Sequence, residues 1–169
     1  GRYSNLVLVG DDGTILDAVK RIDSTQSALR EILPGTAFTE PPKPEKIPFM
    51  SGSEEDIIAA VRKSSRIVSA ALLQVVSGLS PLLCREAALE VDDQTGDMLD
   101  DTGAAKLAEG LRRIKDAISD PCKREYSIIY DGEKPVEYSF IDLRQYKGLR
   151  KEQFESASQM FDSYYSSRD

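Results

Sequence analysis

Between Arg66 and Val91 apolar positions recur in two blocks. Val68, Ala71, Leu72, Val75 and Val76 form the first, and Leu82, Leu83, Ala87 and Leu89 the second, each at the 3.6-residue spacing of a helix with one buried face. Five residues separate them, Ser77-Gly78-Leu79-Ser80-Pro81, and they hold both a stop and a start signal. Gly78 suits the left-handed conformation that ends a helix, Ser80 suits an N-cap, and Pro81 suits a first helical position, where no N–H is needed. The pattern predicts a tight corner between two helices.

On either side the period changes. Asn5 to Val9 and Thr14 to Ile22 read as strands joined by Gly10-Asp11-Asp12-Gly13, so the chain opens with a β-hairpin. Ser24 to Met50 carries most of the chain's eight prolines and reads as an extended connector, since proline fixes φ and blocks ladders and helices. Ser53-Glu54-Glu55-Asp56 caps a helix whose apolar face is Ile57, Ile58 and Val61; the polar run from Arg62 to Arg66 then interrupts it. Thr102 to Ser119 predicts a further helix through Leu107, Leu111, Ile114 and Ile118, weakened by Gly103 and Gly110 and ended by Asp120-Pro121. Glu125 to Tyr130 and Val136 to Leu143 predict a second hairpin. Its aromatics, Tyr126 and Tyr130 facing Tyr138 and Phe140, read as core packing rather than a platform for stacking bases. A last helix is expected from about Lys151, with Phe154, Ala157, Phe161 and Tyr164 or Tyr165 on its apolar stripe.

The resulting fold class is α+β: a β-hairpin over 1–23, a proline-rich connector over 24–52, a helical domain over 53–119, a β-hairpin over 120–149 and a helix over 150–169. At 169 residues that is one ordinary domain or two small ones. A lone opening hairpin is marginal in water and its unpaired edge invites another strand. The expectation is therefore a piece of a longer protein, one that dimerises through the exposed opening strand.

Charge and composition narrow the chemistry. A net charge of −7 means that the chain as a whole is no electrostatic glove for nucleic acid, so any such contact is local. No apolar run approaches the roughly 20 residues that span a bilayer, and no charged-then-apolar leader opens the chain. Cys84 and Cys122 make no disulfide framework, and a reducing cytoplasm is the simplest location. Histidine is absent, which removes the usual general base and the commonest zinc ligand. The acidic cluster of Asp92, Asp93, Asp97, Asp100 and Asp101 lacks the spacing of a calcium loop and reads as a solvated loop. No glycine-rich phosphate loop or serine elbow is present. No enzyme activity, catalytic residue, metal or cofactor is expected.

The corner remains as candidate chemistry. Free N–H groups at the start of its second helix can seat a phosphate. The candidate nucleic-acid-binding residues are Gly78, Leu79, Ser80 and Pro81, with Arg62, Lys63, Arg66, Arg112 and Arg113 as a basic flank. The competing expectation is a helical hairpin that only packs a core, with its cations solvated.

Four stretches, in order, resemble the central part of the NFACT family, which comprises fibronectin-binding protein A and RqcH-like ribosome quality control factors. They are Gly1 to Val9 with Ile15-Leu16-Asp17, Leu33-Pro34-Gly35 with Pro41-Pro42, Gly78-Leu79-Ser80-Pro81-Leu82, and Phe161-Asp162-Ser163-Tyr164-Tyr165. The resemblance implies that the first hairpin ends an N-terminal β domain similar to that of formamidopyrimidine-DNA glycosylase. It implies that 53–119 is a helix-hairpin-helix-like domain and that the last helix enters a coiled coil. The corner, together with Glu86, sits where those glycosylases hold a DNA phosphate, but with Ser-Pro in place of a Gly-Asn pair. The implied function is non-catalytic binding of the large ribosomal subunit and tRNA in support of untemplated tailing of stalled nascent chains. The alternatives are a fibronectin-binding surface adhesin and a DNA-binding module.

Overall fold

The computed structural model describes residues 4–25, 30–41 and 45–166. The chain divides into two compact units, Gly1–Pro44 and Glu45–Asp169, and it is of mixed helix and strand.

In the first unit, β1 (Val7–Val9) and β2 (Ile15–Ala18) form the expected antiparallel hairpin. Its turn is closed by Gly13 at φ +80°, a conformation that costs glycine nothing. Residues 30–41, expected as a bare connector, instead fold back on the hairpin. Ile22 and Ile32 exchange both backbone hydrogen bonds, at 3.0 and 2.7 Å, and the Ile15 N–H donates to Thr36 O at 2.8 Å. The physical reason is burial: Ile15 and Ile32 are each about 1% exposed, and proline forbids interior ladders but not a few edge bonds. Pro42, Lys43 and Pro44 lie outside the described residues.

The second unit begins with β3 (Ile47–Pro48) and α1 (Glu54–Val61), followed by α2 (Val68–Val75), β4 (Val76–Ser77), α3 (Pro81–Ala87) and α4 (Asp101–Ser119). β3 pairs in parallel with β4. Local signals set the helix starts: Ser53 accepts from Asp56 N at 3.1 Å, Asp100 from Gly103 N at 2.7 Å, and Asp120 closes α4 as expected. One core runs through all four helices and includes Ile57, Val61, Leu72, Cys84, Leu107, Leu111 and Ile114. Gly110, expected to weaken α4, has a packing role. A Cβ there would lie 2.2 Å from Ala87 O, so only glycine lets α3 and α4 approach this closely.

The rest of the unit is a three-stranded sheet with a helix on it. β5 (Tyr126–Asp131) is central, flanked by β6 (Lys134–Ser139) and β7 (Arg150–Phe154), both antiparallel to it. Here the expectation of helix from Lys151 is corrected, because residues 150–154 are strand and α5 (Ala157–Ser166) starts later. Gly148 at φ +100° turns the chain, and β7 supplies the second neighbour that the buried β5 needs. Pairing overrides the helix-forming character of Arg-Lys-Glu-Gln. Ser156 starts α5, accepting from Gln159 N at 3.3 Å. The aromatic face of the sheet is packed, as expected: Ile128 and Tyr130 meet Met160 and Tyr164 in a second core.

Candidate nucleic-acid interface

The corner takes the shape its residues dictate. α2 ends at Val76 and the chain turns through Gly78 at φ +90°. Ser80 then caps α3, its Oγ accepting from Leu83 N at 3.2 Å, with Pro81 at the first helical position. Leu79 is buried against the core, whereas Gly78, Ser80 and Pro81 are exposed. The phosphate seat is smaller than the sequence suggested. Pro81 has no N–H, Leu83 N–H is taken by Ser80 Oγ, and Cys84 N–H donates to Ser80 O at 2.9 Å. The Leu82 N–H is the first-turn amide left for an outside acceptor.

The cations are not gathered at this corner. Arg62, Lys63 and Arg66 lie in the turn that precedes α2, while the corner follows it; eight helical residues separate the two ends by about 12 Å. The Arg62 guanidinium is held by Leu99 O at 3.0 Å and Asp101 at 2.8 Å. Lys63 and Arg66 are exposed. Arg112 faces Glu54, near the start of α1, at 3.8 Å.

Arg113 is built into the fold. It donates to Glu86, whose side chain is fully buried, and to Asp142 O at 2.9 Å. Glu86 also accepts from the backbone N–H groups of Arg144 (2.9 Å) and Gln145 (3.1 Å), and from Gln145 Nε2 at 3.0 Å. One carboxylate thus ties α3 to α4 and to the turn that follows β6. Its charge is balanced by Arg113 and its lone pairs are filled, the condition under which a buried ion is tolerated. Sequence reasoning found Glu86 only as part of the corner. Its partners in the turn lie 58 and 59 residues away in the chain, and local pattern carries no signal of them.

The acidic loop is organised by capping. Asp92 accepts from the N–H and the hydroxyl of Ser69 at 2.8 and 2.9 Å, and so caps α2, whose own N-cap residue, Ile67, offers no side-chain bond. Asp100 caps α4 and Asp101 pairs with Arg62. Among the described residues no cluster of histidine, cysteine and carboxylate side chains fit to hold a metal ion occurs, and no helix is long and apolar enough to cross a membrane.

Of the two free cysteines, Cys84 is buried and Cys122 exposed. Burial pushes the Cys84 thiol up to about 11, so it is inert at neutral pH. The Tyr138 hydroxyl is raised by its hydrogen bond with Tyr165 and by burial, and that of Tyr130 mainly by burial. These groups are set up for packing.

Comparison with known proteins places this architecture. A family model described as the NFACT N-terminal and middle domains matches residues 1–169. The Rqc2 homolog RqcH of Bacillus subtilis is 31% identical over 88 residues, which is 52% of this chain and 15% of that protein. Two solved structures share the fold at 20% identity. The fibrinogen binding protein from Staphylococcus aureus superposes with a TM-score of 0.69 over 98% of this chain and 56% of its own. The N-terminal part of the fibronectin/fibrinogen-binding protein from Streptococcus suis gives 0.58 over 98% and 54%. The chain therefore spans about half the length of these solved relatives, and less of the curated one.

Proposed function

The chain belongs to the NFACT family, and from that premise we propose that it is a non-catalytic, RNA-contacting scaffold within a cytoplasmic ribosome quality control factor. In this reading the whole protein binds the large ribosomal subunit and tRNA and supports untemplated tailing of stalled nascent chains, with α5 continuing into a coiled coil. The likeness to RqcH supports the assignment. The observation that carries the RNA contact is the corner, where Gly78, Ser80 and Pro81 stand exposed over a buried Leu79. Leu82 N–H is available there, and Lys63 and Arg66 are secondary contacts. Arg113 belongs to the Glu86 pairing and not to the RNA surface.

Pro81→Glu in the full-length protein tests this. Glutamate suits the first turn of a helix but puts an anion in the phosphate seat. Co-sedimentation with the large subunit is expected to weaken roughly tenfold, the size of one charge-assisted hydrogen bond, whereas Pro81→Ala leaves it unchanged. Unchanged binding of the glutamate variant across salt concentrations removes the corner from the contact list.

A second reading is a surface protein that binds fibronectin, for which the name of the Streptococcus suis relative speaks. Cell fractionation separates the two: protein confined to the surface favours the adhesin. The DNA-binding alternative calls for duplex affinity with a steep salt slope, which a chain of net charge −7 is expected to lack.

A further inference from the structure

Between α3, α5 and one end of the sheet lies a groove of about 550 Å³, within the 300 to 1,000 Å³ usual for ligand sites. Its lining includes Tyr126, Tyr138 and Phe140 from the sheet side, Met160 and Phe161 from α5 and Leu83 from α3, so four of these six side chains are aromatic. The sheet is packed shut where α5 covers it, but the groove is open. Phe161 is 39% exposed, and Tyr165, one helical turn further along α5, is 54% exposed. The Phe161 ring stands at 86° to that of Tyr138, with centroids 5.2 Å apart. Two perpendicular rings make a corner in which a flat ring lying on one meets the other edge-on, and aromatic groups favour both arrangements.

A cationic turn adjoins the groove. Arg85 lines the groove, and its Nε donates to Gln145 Oε1 at 3.2 Å. Gln145 lies in the 3₁₀ turn Arg144–Tyr146, which Lys147 N–H closes on Arg144 O at 3.2 Å. Side chains three apart eclipse in such a turn, so Arg144 and Lys147 stand together, both exposed, while Leu143 and Tyr146 pack on the core. The buried Glu86 carboxylate pins the turn through the N–H groups of Arg144 and Gln145. These cations are also unclaimed. Among the described residues Arg62, Arg112, Arg113, Lys115 and Lys123 each face a carboxylate, whereas Arg85, Arg144 and Lys147 face none.

We propose that this groove takes an unpaired base of single-stranded RNA, stacked on Phe161 against Tyr138, with the flanking phosphates drawn to Arg85, Arg144 and Lys147. The proposal rests on the RNA reading and adds to it the form of the RNA and the place of the base. The occupant follows from the pairing of the two features. Aromatic platforms beside cations are how single strands are held, because every base has a face to stack and every link a phosphate to neutralise. A duplex would meet the cations but keeps its bases stacked inside, and an apolar peptide would fill the groove but leave three cations without a partner. Glu137, the one carboxylate among the lining residues, repels phosphate from the groove and so leaves it to the base.

The test is a titration of the chain with a fluorescein-labelled adenosine octaribonucleotide, an RNA duplex of equal length and an abasic octamer, read by anisotropy at several salt concentrations. The octamer is expected to bind at least about fivefold more tightly than the duplex or the abasic strand, with a log–log salt slope of about −2, from about −0.7 for each of three phosphates. Phe161→Leu should weaken octamer binding about tenfold and leave the slope unchanged, the loss of one stacked base. Arg85→Gln, Arg144→Gln and Lys147→Gln together should bring the slope close to zero. Absence of saturable binding, equal affinity for the abasic strand or the duplex, or a slope that survives the triple replacement overturns the proposal. The abasic strand needs no change in the protein, so a fold defect in Phe161→Leu cannot mimic the result. Equal affinities together with weakened sedimentation of Pro81→Glu overturn the groove and leave the scaffold reading in place. A preference for the octamer together with unchanged sedimentation of that variant supports the groove and removes the corner.

Discussion

Glu86 is the residue on which the second unit depends most sharply. Its carboxylate accepts from a guanidinium, two backbone amides and a side-chain amide, so Glu86→Ala leaves Arg113 partly buried without its counter-ion. A loss of roughly 3–5 kcal/mol is expected, the usual cost of breaking one side of a buried pair, measured by urea unfolding. The raised acid groups set a pH dependence. Cys84 is held near 11 against an ordinary 9.0, and Tyr130 and Tyr138 above an ordinary 10.0. Groups kept protonated by the fold contribute stability that is whole below their unfolded values and is lost as pH rises through their folded ones. Stability should therefore fall from about pH 9 upward, and Cys84→Ala should flatten the first part of that fall in unfolding curves taken at successive pH. At neutral pH Ellman's reagent should titrate Cys122 quickly and Cys84 only on unfolding. At this scale the caps at Ser53 and Ser80 and the φ of Gly78 were legible, because each is decided within three or four residues, whereas Asp100, read as part of a solvated loop, proved to be the cap of α4. The partners of Arg113 were not, because they belong to the fold.

Elements were legible where one face of a pattern met one core. α1, α2, α3 and α4 follow their apolar spacing, and the β5–β6 hairpin forms close to where it was expected, although β5 is buried on both faces and feeds both cores. The misreadings share a cause: β7 and residues 30–41 hold their conformation through strands elsewhere in the chain, which window-by-window periodicity cannot weigh. Close packing between elements was equally hidden. Gly110 was read as a helix weakener, yet it admits Ala87 O to the surface of α4. Gly110→Ala raises helix propensity by about 1 kcal/mol and still should destabilise the protein, because overpacking costs roughly 1–3 kcal/mol and backbone cannot swing aside. A gain in melting temperature would contradict the contact.

The molecule as a whole is unevenly endowed. Among the described residues, the buried apolar side chains of the first unit are Ile15 and Ile32, while Leu6, Leu8 and Val19 are more than half exposed; the second unit holds the other buried apolar residues. Residues 45–169 alone should therefore unfold cooperatively, with a midpoint within a few degrees of the full chain's. The full chain should self-associate with rising concentration, and Leu8→Lys should reduce that association in sedimentation velocity. The candidate corner was legible because its turn is local; its poverty in cations was not, because the turn before α2 and the corner after it look adjacent only when the chain is read as a line. The short parallel pair of β3 and β4 also has a mechanical meaning. Ile47 and Pro48 run beside Val76 and Ser77, Phe49 N–H donates to Ser77 O at 2.9 Å, and Lys46 Nζ reaches Leu73 O at 2.7 Å. Tension applied at residue 45 loads these few bonds and the buried Phe49 before it reaches α1. In an optical trap the second unit should first yield a step of about 28 Å, the extended length of the roughly eight residues before the α1 cap. The helices should then rupture as one event, so that this pair acts as a fuse between whatever pulls on the chain and the core that must survive it.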